Sequence, residues 1–339
     1  MRALHIVHGS PHDGDVGGTE LYVDALARAT GDSVLVPGED LVERDVGYPL
    51  WRGGVPAVVE ASGADLLHVH HLAKRGIRLP RVPTVVTLHD YNLACLRGQL
   101  VDLAGQLCEG PRVIKCSRCV GWFPTHIALR ELLVKRLLAR SRLISPSADL
   151  ARRMERLGWA ETVHVLDLPL VDPVRPAPEP GEGPVRFLFV GSLIATKGIG
   201  ILLAAFEGLD AVLDVWGPTP DAGFAERLDL RHHRGVFSAA RREEVLHAAD
   251  VLVVPSTWHE NSPLVVREAV AAGLRVVASD VGGIAEIDPD ARLVQPGDVA
   301  ALRGALLAEI ATGRGRRPPR EYPMEPHLEA LRLHYEACC

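Results

Sequence analysis

The chain has 339 residues, 47% of them hydrophobic, enough for two ordinary domains that each bury a core. Its 37 basic and 43 acidic residues leave a formal charge of -6, so no electrostatic footprint for nucleic acid is present and such a partner is not expected. No run approaches the roughly 18 apolar residues of a membrane-spanning helix, and the expectation is a globular, cytoplasmic protein.

In chain order, "MRALHIVHGSPHDGD" opens with a short apolar run broken by histidines and lacks a small-residue cleavage pattern, so it reads as a first strand rather than a signal peptide. Gly17 and Gly18 then lead into "TELYVDALARAT", a helical stretch. Glycine there either admits a ligand close to the backbone or simply makes the turn. "DGD", Asp13 to Asp15, is read as an ordinary turn of that loop. The run "HVHH", His68 to His71, is not expected to bind metal, because alternating strand residues face opposite ways and no carboxylate or cysteine stands near in sequence. "PTVVTLHDYN" ends a strand on His89 and Asp90, where doubly wound sheets bind ligands.

Four cysteines follow: Cys95, Cys108, Cys116 and Cys119. A Cys-x2-Cys pair with two more cysteines upstream suits a four-thiolate structural zinc, with unpaired thiols and a disulfide or iron–sulfur cluster as the alternatives. Because Cys95 comes soon after Asp90, this knuckle should hang over the ligand-binding ends of the first domain's strands. Cys338 and Cys339 read as exposed thiols. The stretch 127–144 mixes leucines with Arg130, Lys135, Arg136, Arg140 and Arg142. It reads first as a helix covering the sheet with its charges solvated, and second as a peripheral contact with anionic lipid on the cytoplasmic face.

Between Leu168 and Val185 lie six prolines without regular periodicity, the expected linker. Short β-type runs alternate with helical stretches on both sides of it, which argues for parallel sheets covered on both faces. The plan is an N-terminal doubly wound domain over 1–168, a linker over 169–184, a second such domain over 185–320, and a terminal helix over 321–339 that crosses back to the first. Two such sheets would face each other across a cleft.

The second half opens on "FLFVGSLIATKGIGILLAAF", a strand, a turn through Gly191 and Ser192, then Lys197 before a helix. A lysine beside free helical N–H groups suits a phosphate or is merely a solvated loop charge. The spacing is not that of a P-loop, and neither half carries GxGxxG after its first strand, which weakens a nicotinamide or flavin reading. "DVLVVPSTWHENSPLVVREA" passes from a strand through a polar loop into a helix, which Ser262 should cap with Pro263 at its first position. On that helix Leu264, Glu268 and Ala272 share one face. Glu268 is thus a carboxylate on a stripe expected to pack inward.

Taken together, "GGTELYVDALA", "GSLIATKG" and "DVLVVPSTWHENSPLVVREAVAAGLRVVASDVGGIAEI" resemble glycosyltransferase family 4 over nearly the whole chain, most specifically from Asp250 to Ile287. The resemblance implies a GT-B fold, two Rossmann-like domains, and transfer of a hexose-type sugar from a nucleoside-diphosphate sugar, with retention, to a glycan, lipid-linked or small-molecule acceptor. It implies Glu260 near the donor sugar, Glu268 on the ribose, Lys197 on the diphosphate, His89 near the sugar, and Gly17 and Gly18 beneath the diphosphate. Asn261, Ser262, Pro263 and Leu264 would add donors from the loop and the helix start. Many members carry arginine where this chain has Ser192. No catalytic metal is implied, and the retaining step stays open between same-face attack and a short-lived ion pair. The other readings are a nucleotide-sugar epimerase of the same fold and a catalytically silent sugar-nucleotide or glycan-binding module.

Overall fold

The computed structural model describes residues 1–7, 17–35, 63–71, 82–103, 105, 107–220 and 222–338. The Asp13–Asp15 turn and Cys339 lie outside the described residues. Two compact units emerge: Met1–Val171 together with Met324–Cys339, and Asp172–Pro323.

The first unit holds a six-stranded parallel sheet of β1 (Ala3–Ile6), β2 (Ser33–Leu35), β3 (Leu66–Val69), β4 (Thr84–Thr87), β5 (Arg142–Ser145) and β6 (His164–Val165), in the order β2-β1-β3-β4-β5-β6. β1, β3 and β4 are four-residue runs buried at every position, as strands covered on both faces must be. The chain leaves β1 towards β2 and then returns to its other side at β3, which makes a topological switch point between β1 and β3. Helix Gly18–Thr30 follows β1, and helix Ala148–Arg156 is capped by Ser147, whose hydroxyl accepts the Leu150 N–H at 3.2 Å.

The basic stretch 127–144 is not one amphipathic face. Helix Pro124–Leu138 ends before β5 begins at Arg142. Arg130 is buried, donating to the carbonyls of Leu93 at 2.9 Å and Asn92 at 2.6 Å, while Arg142 donates from the strand to His334 at 2.8 Å. Helical periodicity cannot register a strand that starts within the same leucine-rich run.

The second unit is a five-stranded parallel sheet of β7 (Arg186–Val190), β8 (Val212–Trp216), β9 (Val251–Val254), β10 (Arg275–Ser279) and β11 (Arg292–Val294), in the order β11-β10-β9-β7-β8. Strand period two divides its core. Phe187, Phe189, Val251 and Val253 join one apolar cluster, and Leu188, Leu252 and Val254 join the cluster on the other face. The expected linker is itself packed here: the Ala177 N–H donates to the Ala272 carbonyl at 2.9 Å, and Val174 and Ala177 cover the second cluster. Its prolines mark an extended strap rather than a free tether.

The last helix, Met324–Glu336, groups with the first unit, with the Tyr22 hydroxyl 2.7 Å from His327 Nε2 and the Tyr335 hydroxyl 2.8 Å from His68 Nδ1. Among the described residues, no helix is long and apolar enough to cross a membrane.

Candidate active site

In the second unit β7 is the strand from which the chain turns first to β8 and then, on the other side, to β9. The crevice at the carboxyl ends of β7 and β9 is where such a sheet takes a ligand, and the candidate residues gather there. Gly191 and Ser192 form the turn after β7, and Lys197 ends a short 3-10 turn, Ala195–Lys197. Glu260 lies in the loop after β9.

Three donors converge on one oxygen of Glu260. Lys197 Nζ lies 2.7 Å from Oε1, the Ser256 hydroxyl 2.6 Å and the Trp258 indole N–H 2.9 Å. Glu260 is buried, with 5% of its side chain exposed against 27% for Lys197. Three donors on one oxygen fix the orientation of this carboxylate. Trp258 also lies under the ammonium, its ring centroid 5.2 Å from Nζ, a cation–π contact.

The loops are clasped by backbone. The Thr257 N–H donates to the Thr196 carbonyl at 2.9 Å, and the Gly283 N–H to the Glu260 carbonyl at 2.8 Å. Gly198 (φ 73) and Gly282 (φ 65) are left-handed, and a Cβ on them would overlap the carbonyls of Pro255 and Glu260 respectively. Only glycine allows both the conformation and the approach. The ends of β7, β9 and β10 therefore hold Glu260 in one place.

The helix after this loop differs from its expected start. It spans Leu264–Ala271 with Pro263 as the capping residue in extended conformation, and Ser262 does not cap it. The Ser262 hydroxyl instead lies 2.8 Å from Arg267 Nη2. Arg267 is fully buried, its guanidinium 5.0 Å from the Tyr322 ring centroid, and a buried guanidinium recruits whatever oxygen is near. The inward stripe is correspondingly shifted: Val266, Arg267, Ala269 and Val270 are buried, and Leu264 and Glu268 sit half-buried beside them.

Glu268 Oε1 is 3.1 Å from Arg242 Nε, and Arg242 donates to Asp172 at 3.0 Å. Burial pushes the Glu268 carboxyl up, Arg242 opposes that shift, and Asp172 adds to it. A ligand diol at Glu268 would thus meet a carboxylate that already has a cation beside it. Asn261 is buried in the loop between Glu260 and Ser262. Sequence reasoning missed Ser256, Trp258, Arg242 and Arg267. The first two were within reach, being polar side chains in the quoted loop, whereas the sequence carries no local sign that Arg242 meets Glu268.

The first unit brings together a second group at the carboxyl end of β4. His89 Nε2 lies 3.0 Å from His70 Nδ1, and burial drives the His89 imidazole down to about 3, so it is neutral. Asp90 is raised to about 6, burial outweighing the hydrogen bonds it accepts from Asn92. Val69, His70, His89 and Asp90 line a small pocket at this end of the sheet. At the start of helix Gly18–Thr30 the Gly17 N–H donates to Glu20 at 3.1 Å. A side-chain carboxylate thus takes the place at the helix start that an anion would otherwise occupy.

His68 and His70 share a strand face, being two residues apart, and His5 from β1 joins them: one ring nitrogen of each lies within 4.8 Å of the others. The opposite-faces argument holds only for neighbours such as His70 and His71. Among the described residues the cysteines form no such group. Cys95, Cys108, Cys116 and Cys119 line one pocket of about 480 Å³ and are unpaired. As placed, they do not close to the spacing of a tetrahedral thiolate site.

Two parallel-sheet α/β domains of this kind constitute a GT-B fold. HepE of Anabaena, solved in complex with UDP-glucose, is similar to this chain with a TM-score of 0.65 at 18% identity, over 92% of this chain and 90% of that one. Residues 184–311 match the family described as Glycosyl transferases group 1, and the match spans Lys197, Glu260 and Glu268. The chain is 33% identical over 332 residues to the phosphatidyl-myo-inositol mannosyltransferase of Mycolicibacterium smegmatis, covering 88% of this chain and 82% of that protein. To the phosphatidyl-myo-inositol mannosyltransferase of Mycobacterium leprae it is 34% identical over 179 residues, so the match spans about half, 48%, of that relative's length. The chain belongs to the group 1 glycosyl transferases.

Proposed function

We propose that the protein is a retaining glycosyltransferase of family 4 that moves a hexose-type sugar from a nucleoside-diphosphate sugar to an acceptor hydroxyl. The observation that carries this reading is the Lys197–Glu260 pair at the switch point of the second sheet, 2.7 Å apart. Charge grows on the diphosphate as it leaves and on the sugar as it becomes oxocarbenium-like. A lysine and a fixed carboxylate supply one counter-charge to each. In this assignment Lys197 turns from Glu260 to the diphosphate when the donor binds, with Gly191, Ser192 and the backbone of residues 261–264 around it. Glu260 keeps the Ser256 and Trp258 donors and faces the sugar. Glu268 receives the ribose, with Arg242 holding its charge, and His89 meets the sugar. No catalytic metal is required by this scheme.

The relatives named above are mannosyltransferases, which supports transfer over epimerisation or silent binding. Thermal-shift titration with UDP, GDP, ADP and TDP, beside Glu268→Ala, tests the donor site. One nucleotide at about 100 times its dissociation constant should add roughly 2.7 kcal/mol to the wild type and lose that effect in the variant. Response to none of the four counts against the proposal.

A lipid-linked acceptor is favoured among the three acceptor classes by the surface of helix Pro124–Leu138. Phe123, Leu129 and Leu132 are 73%, 56% and 46% exposed there, and Arg136 and Arg140 are exposed nearby. Apolar side chains beside cations suit an anionic lipid surface, which makes the protein a peripheral one on the cytoplasmic face. Sedimentation with anionic but not neutral vesicles is the expected result, and equal sedimentation would end the idea. Structural zinc at Cys95, Cys108, Cys116 and Cys119 rests on the Cys-x2-Cys spacing and the shared pocket, and requires the sulfurs to draw together. One zinc per chain by elemental analysis, lost in Cys116→Ser, is the expected outcome; a metal-free preparation with four titratable thiols opposes it.

A further inference from the structure

The buried histidines of the first unit form a directed chain of hydrogen bonds. Asp32, at the foot of β2, lies 3.4 Å through Oδ2 from His5 Nε2. His5 Nδ1 lies 2.9 Å from His70 Nε2, and His70 Nδ1 lies 3.0 Å from His89 Nε2. His5 and His70 are 0% and 4% exposed. Every link joins the two ring nitrogens of one imidazole to different neighbours, so the proton position at one end dictates it at the other.

We propose that Asp32 is a positioning residue that sets the tautomer of His89 through His5 and His70, leaving the proton of His89 on Nε2 and its acceptor lone pair on Nδ1. The argument runs link by link. A carboxylate accepts only, so His5 carries its proton on Nε2. With that single proton on Nε2, His5 accepts at Nδ1, which requires a proton on His70 Nε2. Neutral His70 accepts at Nδ1, which requires a proton on His89 Nε2. Burial raises the Asp32 carboxyl, but the hydrogen bonds from His5, Thr30 and the Ala3 N–H outweigh it and keep the carboxyl below its ordinary value. Burial holds His70 far below the ordinary imidazole range and His89 at about 3.

The consequence concerns what His89 can bind. Whatever meets Nδ1 must donate a hydrogen bond, so His89 recognises a hydroxyl and repels a phosphate oxygen. A sugar hydroxyl is the fitting ligand class. This step rests on the proposed transferase reading, whereas the tautomer does not.

The same cluster reads less well as a metal site. His68 sits between the Thr87 hydroxyl at 2.7 Å and the Tyr335 hydroxyl at 2.8 Å, so all six ring nitrogens of His5, His68 and His70 have partners. A cation would have to displace a hydrogen bond at each ligand.

Two-bond proton–nitrogen correlation spectra of histidine-labelled protein test the proposal, with His89 assigned by its loss in His89→Gln. The expected wild-type pattern is one proton on each ring of His5, His70 and His89, carried on Nε2 in every case. In Asp32→Asn, whose amide can donate as well as accept, His89 should show a population protonated on Nδ1, with thermal stability retained. The kcat/KM for the donor should fall at least about tenfold, short of the roughly 10⁴-fold cost of a wrong tautomer in a Ser-His-Asp triad. His89 protonated on Nδ1 in the wild type, a tautomer indifferent to Asp32→Asn, or a stoichiometric metal on His5, His68 and His70 would each overturn the proposal. The wild-type spectrum decides even if the variant does not fold. A tautomer that responds while kcat/KM does not would uphold the relay and count instead against His89 as a donor contact.

Discussion

Lys197 Nζ stands 2.7 Å from Glu260 Oε1, so these two charged residues of the candidate site hold each other. Coulomb attraction is weakened by partial exposure of the lysine, 27% against 5% for the glutamate, but the carboxylate has Ser256 and Trp258 to fall back on. The pair is therefore a poised one. Lys197 can leave without stranding Glu260.

Lys197→Met should lower kcat by about 10² to 10³, the scale of losing one charge-stabilising group in a transition state. Glu260→Gln should do as much while leaving nucleotide binding within about threefold, since the roles proposed for the pair lie at opposite ends of the breaking bond. Steady-state kinetics of the two single variants and the double variant check this. Additive losses would show that the residues act separately.

Gly282→Ala should destabilise the second unit, because it forces a β-carbon into the Glu260 carbonyl and keeps φ at 65. The backbone conformation alone costs about 1 to 2 kcal/mol, and the overlap adds to that. Chemical denaturation measures the loss. A Gly31→Ala variant is the control: that glycine is also left-handed, with no atom near its Cβ, so only the conformational part should be lost.

Acid and base act oppositely on the β4 end. His70 and His89 are depressed by burial, so the unfolded chain takes up protons first, and their stability contribution is present above about pH 6.5 and lost as pH falls towards 3. Asp90, raised to about 6, contributes stability below about pH 4 that is lost as pH rises through 6. Asp90→Asn should therefore gain up to about 3 kcal/mol on the wild type between pH 4 and 7, since each shifted unit is worth about 1.4 kcal/mol. Denaturation curves at several pH values measure it, and parallel curves would show that Asp90 ionises normally.

Arg267→Leu should be tolerated better than Arg267→Ala. The guanidinium is fully buried over Tyr322, with Ser262 as a partner, and a leucine keeps part of the packing near the backbone while removing a buried charge. Alanine leaves a cavity, costing about 2 to 5 kcal/mol. Thermal unfolding of both variants orders them.

Short apolar β-type runs of the sequence coincide with β1, β3, β4, β5, β7, β8, β9 and β10. β2, β6 and β11 were not legible, and all three are outermost or short, two or three residues each at a sheet edge. An edge strand is buried on fewer sides, so it needs no apolar run, and its pairing comes from the neighbour.

The places of eight strands along the chain, the parallel architecture and the loop carrying Glu260 were determined by local composition: β-branched runs, glycine turns and a polar stretch after a strand. Proximity was not. That Lys197 reaches Glu260 across 63 residues, that Arg242 meets Glu268, and that Asp32 speaks to His89 through His5 and His70 were decided by tertiary structure. Side chains far apart in sequence share a site only because parallel strands bring all their carboxyl ends to one edge of the sheet, and no local pattern records which of them will touch.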